Sequence, residues 1–213
     1  MVRLTFIFLL LIFFKTEGQT SVLNVADSLY AHGNYSKAIE QYKTYNNQPE
    51  VYYKIAKAYI ALGNYDAALL NYELAIKASP DNALLKYDYG KLLYRTKKYQ
   101  SASDVFNGLV YLDYKNPNYH YELGLVLEKL KDSTAQNRFY NAYQLDKTHQ
   151  KAIFKIAKFH LIKRHYDVVD RYVNKGLESY ANNKELISLK AQNYYWKEDY
   201  INSAVWFEKL LES

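Results

Sequence analysis

A chain of 213 residues with no cysteine can hold neither a disulfide framework nor a thiolate metal site, yet it is long enough for a domain with a sizeable core. Seven Gly and three Pro against 49% hydrophobic residues disfavour a strand-and-turn architecture and favour long helices. The formal charge of +6 arises from 28 basic and 22 acidic residues interleaved without a block of one sign, a solvated helical surface rather than a stripe for nucleic acid.

Residues 1–18 differ from all that follows. Arg3 gives the start one positive charge, Leu4 to Phe14 are almost wholly apolar, and the small residue Gly18 closes the segment. This is the layout of a secretory signal peptide, so export to a periplasmic or extracellular location is expected, with Gln19 as the mature N-terminus. The apolar run is shorter than the roughly twenty residues that span a bilayer. Lys15 and Glu17 sit close to the cut, which leaves an uncleaved membrane-tethering segment as the alternative.

From residue 19 onward a periodicity governs the sequence. Small residues fall at Ala26, Ala56, Gly90, Gly124, Ala157 and Ala191, and a second series, mostly small, at Ala38, Ala68, Ala102, Ala135, Val169 and Ser203. Four positions after each of the latter stands a large residue: Tyr42, Tyr72, Phe106, Phe139, Val173 and Phe207, in steps of 30, 34, 33, 34 and 34. Val22, Val25, Ala26 and Leu29 recur at helical spacing, as do Tyr52, Ile55, Ala56 and Tyr59; Ala68, Tyr72, Ala75 and Ile76 form a second stripe. Each unit therefore reads as two amphipathic helices. Gly-Asn-Tyr at 33–35 and 63–65 is the corner between them, with glycine free to take positive φ at a helix C-terminus.

These residues resemble the tetratricopeptide repeat. The second unit carries the pattern most fully, with Tyr52, Ile55-Ala56, Tyr59, Ala68, Tyr72 and Pro80. The resemblance covers residues 19–213 and implies an all-α superhelix (solenoid) of about six helical hairpins, over 19–48, 49–82, 83–116, 117–149, 150–183 and 184–213. Two departures stand out. Fourteen residues from Tyr42 to Ala56 replace the usual eighteen, so the first unit's second helix is expected to be short, ending at "NNQP". "KDST" at 131–134 replaces the Gly-Asn-Tyr corner with a tighter turn.

The resemblance also implies that the first helices line a concave groove that holds extended peptides. Counting from the core positions places Tyr53, Tyr87, Tyr121 and Phe154 there, with Lys57, Lys91 and Lys158 one turn on and Tyr94 a further turn on. The groove thus reads as an aromatic ladder flanked by lysines, suited to an extended or anionic peptide. Plain packing for the aromatics and plain solvation for the lysines stay open. Leu23 and Asp27 stand where some relatives grip a chaperone's C-terminal carboxylate, so that clamp is not expected.

No Gly-rich phosphate cradle, nucleophile turn or paired-carboxylate motif occurs, so no catalytic residue, metal or cofactor is expected. His160 and His165 lie five apart, which does not fit the i, i+4 helical zinc spacing. The expected role is a non-catalytic protein-interaction scaffold of the cell envelope; the alternative is a cell-wall or carbohydrate-associated factor using the same aromatics. The last helix ends without a solvating cap. Trp206 and Leu210 are therefore expected to be exposed, for self-association, for a partner, or for the continuation of a longer chain.

Overall fold

The structure, a computed structural model, describes residues 22–212. The leader expected at 1–18 lies outside them. Regular structure among the described residues is wholly α-helical, in two compact units that divide at the corner after residue 97. The first holds α1 (residues 22–31), α2 (Tyr35–Thr44), α3 (Gln48–Ala61), α4 (Tyr65–Ala78) and α5 (Ala83–Arg95). The second holds α6 (Tyr99–Leu112), α7 (Pro117–Lys129), α8 (Ala135–Leu145), α9 (Gln150–Ile162), α10 (Tyr166–Ser179), α11 (Lys184–Trp196) and α12 (Tyr200–Glu212). This is the all-α, solenoid-type class of helical hairpins. No helix among the described residues is long and apolar enough to cross a membrane.

Small residues let paired helices approach, and an aromatic fills the groove they leave. Ala26, Ala38, Ala56 and Ala68 are fully buried, and Tyr42 and Tyr72 are buried against them. The same fit recurs in the second unit, where a methyl group added at Gly124 of α7 would come within 2.7 Å of the Phe139 ring of α8. Between hairpins, a methyl at Gly176 of α10 would overlap Leu186 of α11.

Both departures from the repeat length have a local cause. Helix α2 has 10 residues where α4 has 14, one turn fewer. Its exposed carbonyl end is stitched by the Gln48 amide, which donates to Tyr42 O, Lys43 O and Tyr45 O. Helix α8 begins at Ala135 rather than at an aromatic three residues earlier. In its place Asp132 accepts hydrogen bonds from Thr134 N at 2.8 Å and Thr134 Oγ1 at 2.7 Å.

The corners follow one rule with two chemistries. Gly33 and Gly63 take φ of 77° and 75°, as the sequence predicts. Lys97, Lys131, Arg164 and Glu198 occupy the same left-handed region, at 59–63°, at a cost of about 1–2 kcal/mol each for a side-chain-bearing residue. Two backbone bonds hold the conformation at Gly33, Gly63, Lys131, Arg164 and Glu198: at Arg164, its N–H donates to Leu161 O (3.0 Å) and His165 N–H to His160 O (2.9 Å). The corner is thus set by the helix-ending hydrogen bonds, and glycine only makes it cheaper.

Helix α12 corrects one expectation. Trp206 and Leu210 are half-buried, Trp206 lying between the ammonium groups of Lys190 (4.1 Å) and Lys209 (4.8 Å). The exposed large apolar side chains of this helix are instead Tyr200, Ile201 (82%), Val205 (54%), Phe207 (40%) and Leu211 (88%), so the last ring of the repeat series is not covered. Counting along the repeat missed this because the lysine stems cover the Trp206 ring.

Two histidines of the second unit are built to be neutral. The His120 ring is fully buried; its Nε2–H donates to Tyr114 O at 2.8 Å, and Nδ1 has no partner. His149 caps α9 by accepting Ala152 N–H on Nδ1 at 3.1 Å, where α5, α7 and α11 use Asn82, Asn116 and Asn183. Burial holds both imidazoles below the usual histidine range.

Two outcomes follow from these contacts. Gly108, inside α6, has open space around it, so Gly108→Ala should stabilise by about 0.5–1 kcal/mol through helix propensity alone. Gly124→Ala gains the same propensity but must displace a buried ring, and should destabilise by about 1–3 kcal/mol in urea unfolding. Because the folded-state values of His120 and His149 are depressed, the unfolded chain binds more protons below the ordinary histidine value of about 6.5. Their contribution is therefore complete above that pH and declines as pH falls below it. Urea midpoints should drop between pH 7.5 and 5.5, and His149→Asn should flatten part of that slope.

Candidate functional site

Among the described residues, a basic, aromatic cleft is found in each unit. In the first, of about 650 Å³, Lys57 and Ile60 of α3 face Lys91, Tyr94 and Arg95 of α5, with Tyr30 of α1 on the wall. In the second, of about 640 Å³, Phe154, Lys158 and Leu161 of α9 face Lys184, Ser188, Gln192 and Trp196 of α11. Arg164 and Tyr166 close its corner. Three cationic side chains stand against one carboxylate in each: Lys57, Lys91 and Arg95 against Asp88, and Lys158, Arg164 and Lys184 against Glu185. Each cleft therefore has an excess of positive charge beside apolar and aromatic walls.

The repeat places its cations by register. Lys57, Lys91 and Lys158 each lie over the ring four residues earlier, with ammonium-to-centroid distances of 5.0 Å to Tyr53, 5.3 Å to Tyr87 and 5.7 Å to Phe154. Such contacts straighten the lysine stem and carry the charge to the cleft wall. Arg95 is held in the same way over Tyr65, at 4.6 Å.

The ladder residues divide. Of those expected to contact a peptide, Lys57, Lys91 and Tyr94 line the first cleft, and Phe154 and Lys158 the second. Tyr53 lies under Lys57: its hydroxyl donates to Asp88 Oδ2 at 2.8 Å and its ring meets Tyr72 edge-on at 5.8 Å. Burial first, then the Asp88 carboxylate, raise its phenol above the ordinary value. Tyr87 supports Lys91 in the same way. Tyr121 packs on Phe139 (5.8 Å) and His149 (5.2 Å), joining hairpins rather than facing either cleft.

Several contributors are not visible from the repeat register. Arg95 and Trp196 are the last residues of α5 and α11, and Arg164 stands in the corner after α9, outside the three positions per helix that counting from the core placed in the groove. Lys54 and Lys155 occupy a further shared register, three residues before Lys57 and Lys158. Lys54 pairs with Asp27 at 2.7 Å, and Lys155 with Glu128 at 2.6 Å. Each also lies over the buried ring of the preceding hairpin, Tyr42 or Phe139. Burial opposes the charge on Asp27, but hydrogen bonds from Lys54 and Tyr42 outweigh it and hold the carboxyl below its usual range. Those lysines are committed to packing, whereas the cleft lysines face solvent.

Residues 53–117 match the tetratricopeptide repeat family. No curated protein matches the sequence. Among solved structures, the chain is similar to Pseudomonas aeruginosa pilF, at TM-score 0.73 and 18% identity over 92% of this chain and 91% of that one. A tetratricopeptide repeat protein from Parabacteroides merdae gives TM-score 0.75 and 15% identity, over 92% and 80%. YrrB, described as a TPR protein with an unusual peptide-binding site, gives 0.58 and 20%, over 84% and 91%. These likenesses establish the helical-hairpin fold.

Proposed function

We propose that this chain is a non-catalytic protein-interaction scaffold of the cell envelope, whose clefts hold an acidic, extended peptide segment of a partner protein. The observation that carries the reading is the same charge pattern in both clefts. Cations at one register of α3, α5 and α9 stand beside apolar and aromatic walls, with one carboxylate for every three cations. Tetratricopeptide-type hairpins present such walls on rigid helices, so little is lost in ordering them. The printed description of YrrB as peptide-binding points the same way. The exposed Ile201, Val205 and Leu211 of α12 are assigned to the same partner, outside the clefts. Export rests on the leader at residues 1–18.

Charge reversal tests the clefts. In calorimetry at low salt, an extended peptide alternating Glu with Phe or Leu should bind the parent chain. Lys57→Glu, Lys91→Glu and Lys158→Glu together should weaken it by more than about tenfold, with a smaller salt dependence. Unchanged affinity overturns the assignment. Retention on insoluble cell-wall polysaccharide, indifferent to those lysines but lost with Tyr53→Ala and Tyr87→Ala, would favour the carbohydrate alternative. For export, mass spectrometry of the secreted chain should find Gln19 at the N-terminus; Met1 there would refute cleavage.

A further inference from the structure

The corner between α9 and α10 brings together two imidazoles that the sequence separates. His160 lies in the last turn of α9 and His165 is the residue before α10. Their Nδ1 atoms are 3.1 Å apart. One metal ion with bonds of about 2.0–2.1 Å spans nitrogens about 2.9 Å apart at a right angle and about 3.4 Å apart at a tetrahedral one. The observed separation falls between the two.

The surroundings hold one ring and leave the other accessible. His160 stacks on Tyr172 of α10, at 6.4 Å and an interplanar angle of 6°, and its Nε2 meets the Tyr140 hydroxyl of α8. Tyr140 in turn packs edge-on against Tyr172 at 6.2 Å. His165 is exposed, so an ion reaches the pair from solvent.

We propose that His160 and His165 together bind a late first-row divalent metal ion, such as Cu2+ or Zn2+, with water completing the coordination. Neutral imidazole suits these ions, and Cu2+ binds such ligands most tightly. Without the ion, the contacts fit a relay in which Tyr140 donates to His160 Nε2 and His160 Nδ1–H donates to His165 Nδ1. With it, His160 changes tautomer through water, which takes the Nδ1 proton and returns one to Nε2, so that Nε2–H donates to the Tyr140 oxygen. This is the outer hydrogen bond that orients a metal-bound imidazole. Among the described residues no group of three or more His, Cys, Asp or Glu could hold a metal, so this is a two-imidazole, exchangeable site. The ion would fasten the end of α9 to the start of α10, where Arg164 and Tyr166 close the second cleft.

Titration of the whole exported chain with Cu2+, followed by electron paramagnetic resonance and spin-echo modulation, tests this. One ion per chain should show two coordinated imidazoles. His160→Gln and His165→Gln should each weaken binding by more than about tenfold, and Tyr140→Phe by about tenfold. Circular dichroism of the variants should match that of the parent, and the spectrum of the unaltered chain needs no variant to fold. Fewer than two imidazoles on the ion, or parental affinity in either histidine variant, overturns the site.

Discussion

One steric relation underlies the rest of the molecule: a residue with little or no side chain faces a ring. At Ala26, Ala56 and Gly124 the first helix of a hairpin is stripped to its backbone, and Tyr42, Tyr72 and Phe139 fill the space. The burial of each ring favours assembly, and the loss of contact when such a ring is displaced makes the register unforgiving. Because the same relation recurs, residues of equal register are presented at equivalent places. That is how Lys57 and Lys91 come to share one cleft, and Lys158 to stand in a cleft of like charge.

The lysines show how one repeat makes two kinds of contact. Lys54 and Lys155 reach back across the preceding hairpin to Asp27 and Glu128, over a buried ring. Partly exposed pairs of this kind contribute about 0.2–1 kcal/mol, so they orient the hairpins more than they stabilise them. Three residues later along the same helices the charge points away from the stack. Sign and periodicity alone do not separate the two sets; the carboxylate on the neighbouring helix does.

The fold was legible because burial repeats. Ala68, Tyr72, Val169 and Val173 are buried where the small and large series put them, and the short α2 follows from the missing residues between Tyr42 and Ala56. Less of the site was legible. Lys57, Lys91, Tyr94, Phe154 and Lys158 line clefts, but Arg95, Arg164 and Trp196 join them from two helix ends and a corner, beyond the three positions per helix counted from the core. The left-handed conformations of Lys97, Lys131, Arg164 and Glu198 carry no sequence signal at all. Glycine is the residue that advertises such a bend, and these corners are imposed by hydrogen bonds on residues that do not. The meeting of His160 and His165 is hidden for the same reason: five residues apart on a helix they would diverge, and only the bend at Arg164 turns them together.

The truncated α2 has a wider consequence. A full helical turn is absent from its end, yet Ala38, Ile39 and Tyr42 before the gap and Val51 and Ile55 after it remain buried, with the Gln48 amide closing the gap. At this inter-hairpin joint the loss of one whole turn thus leaves the phase of the interior unchanged. Such joints are natural places to graft a loop.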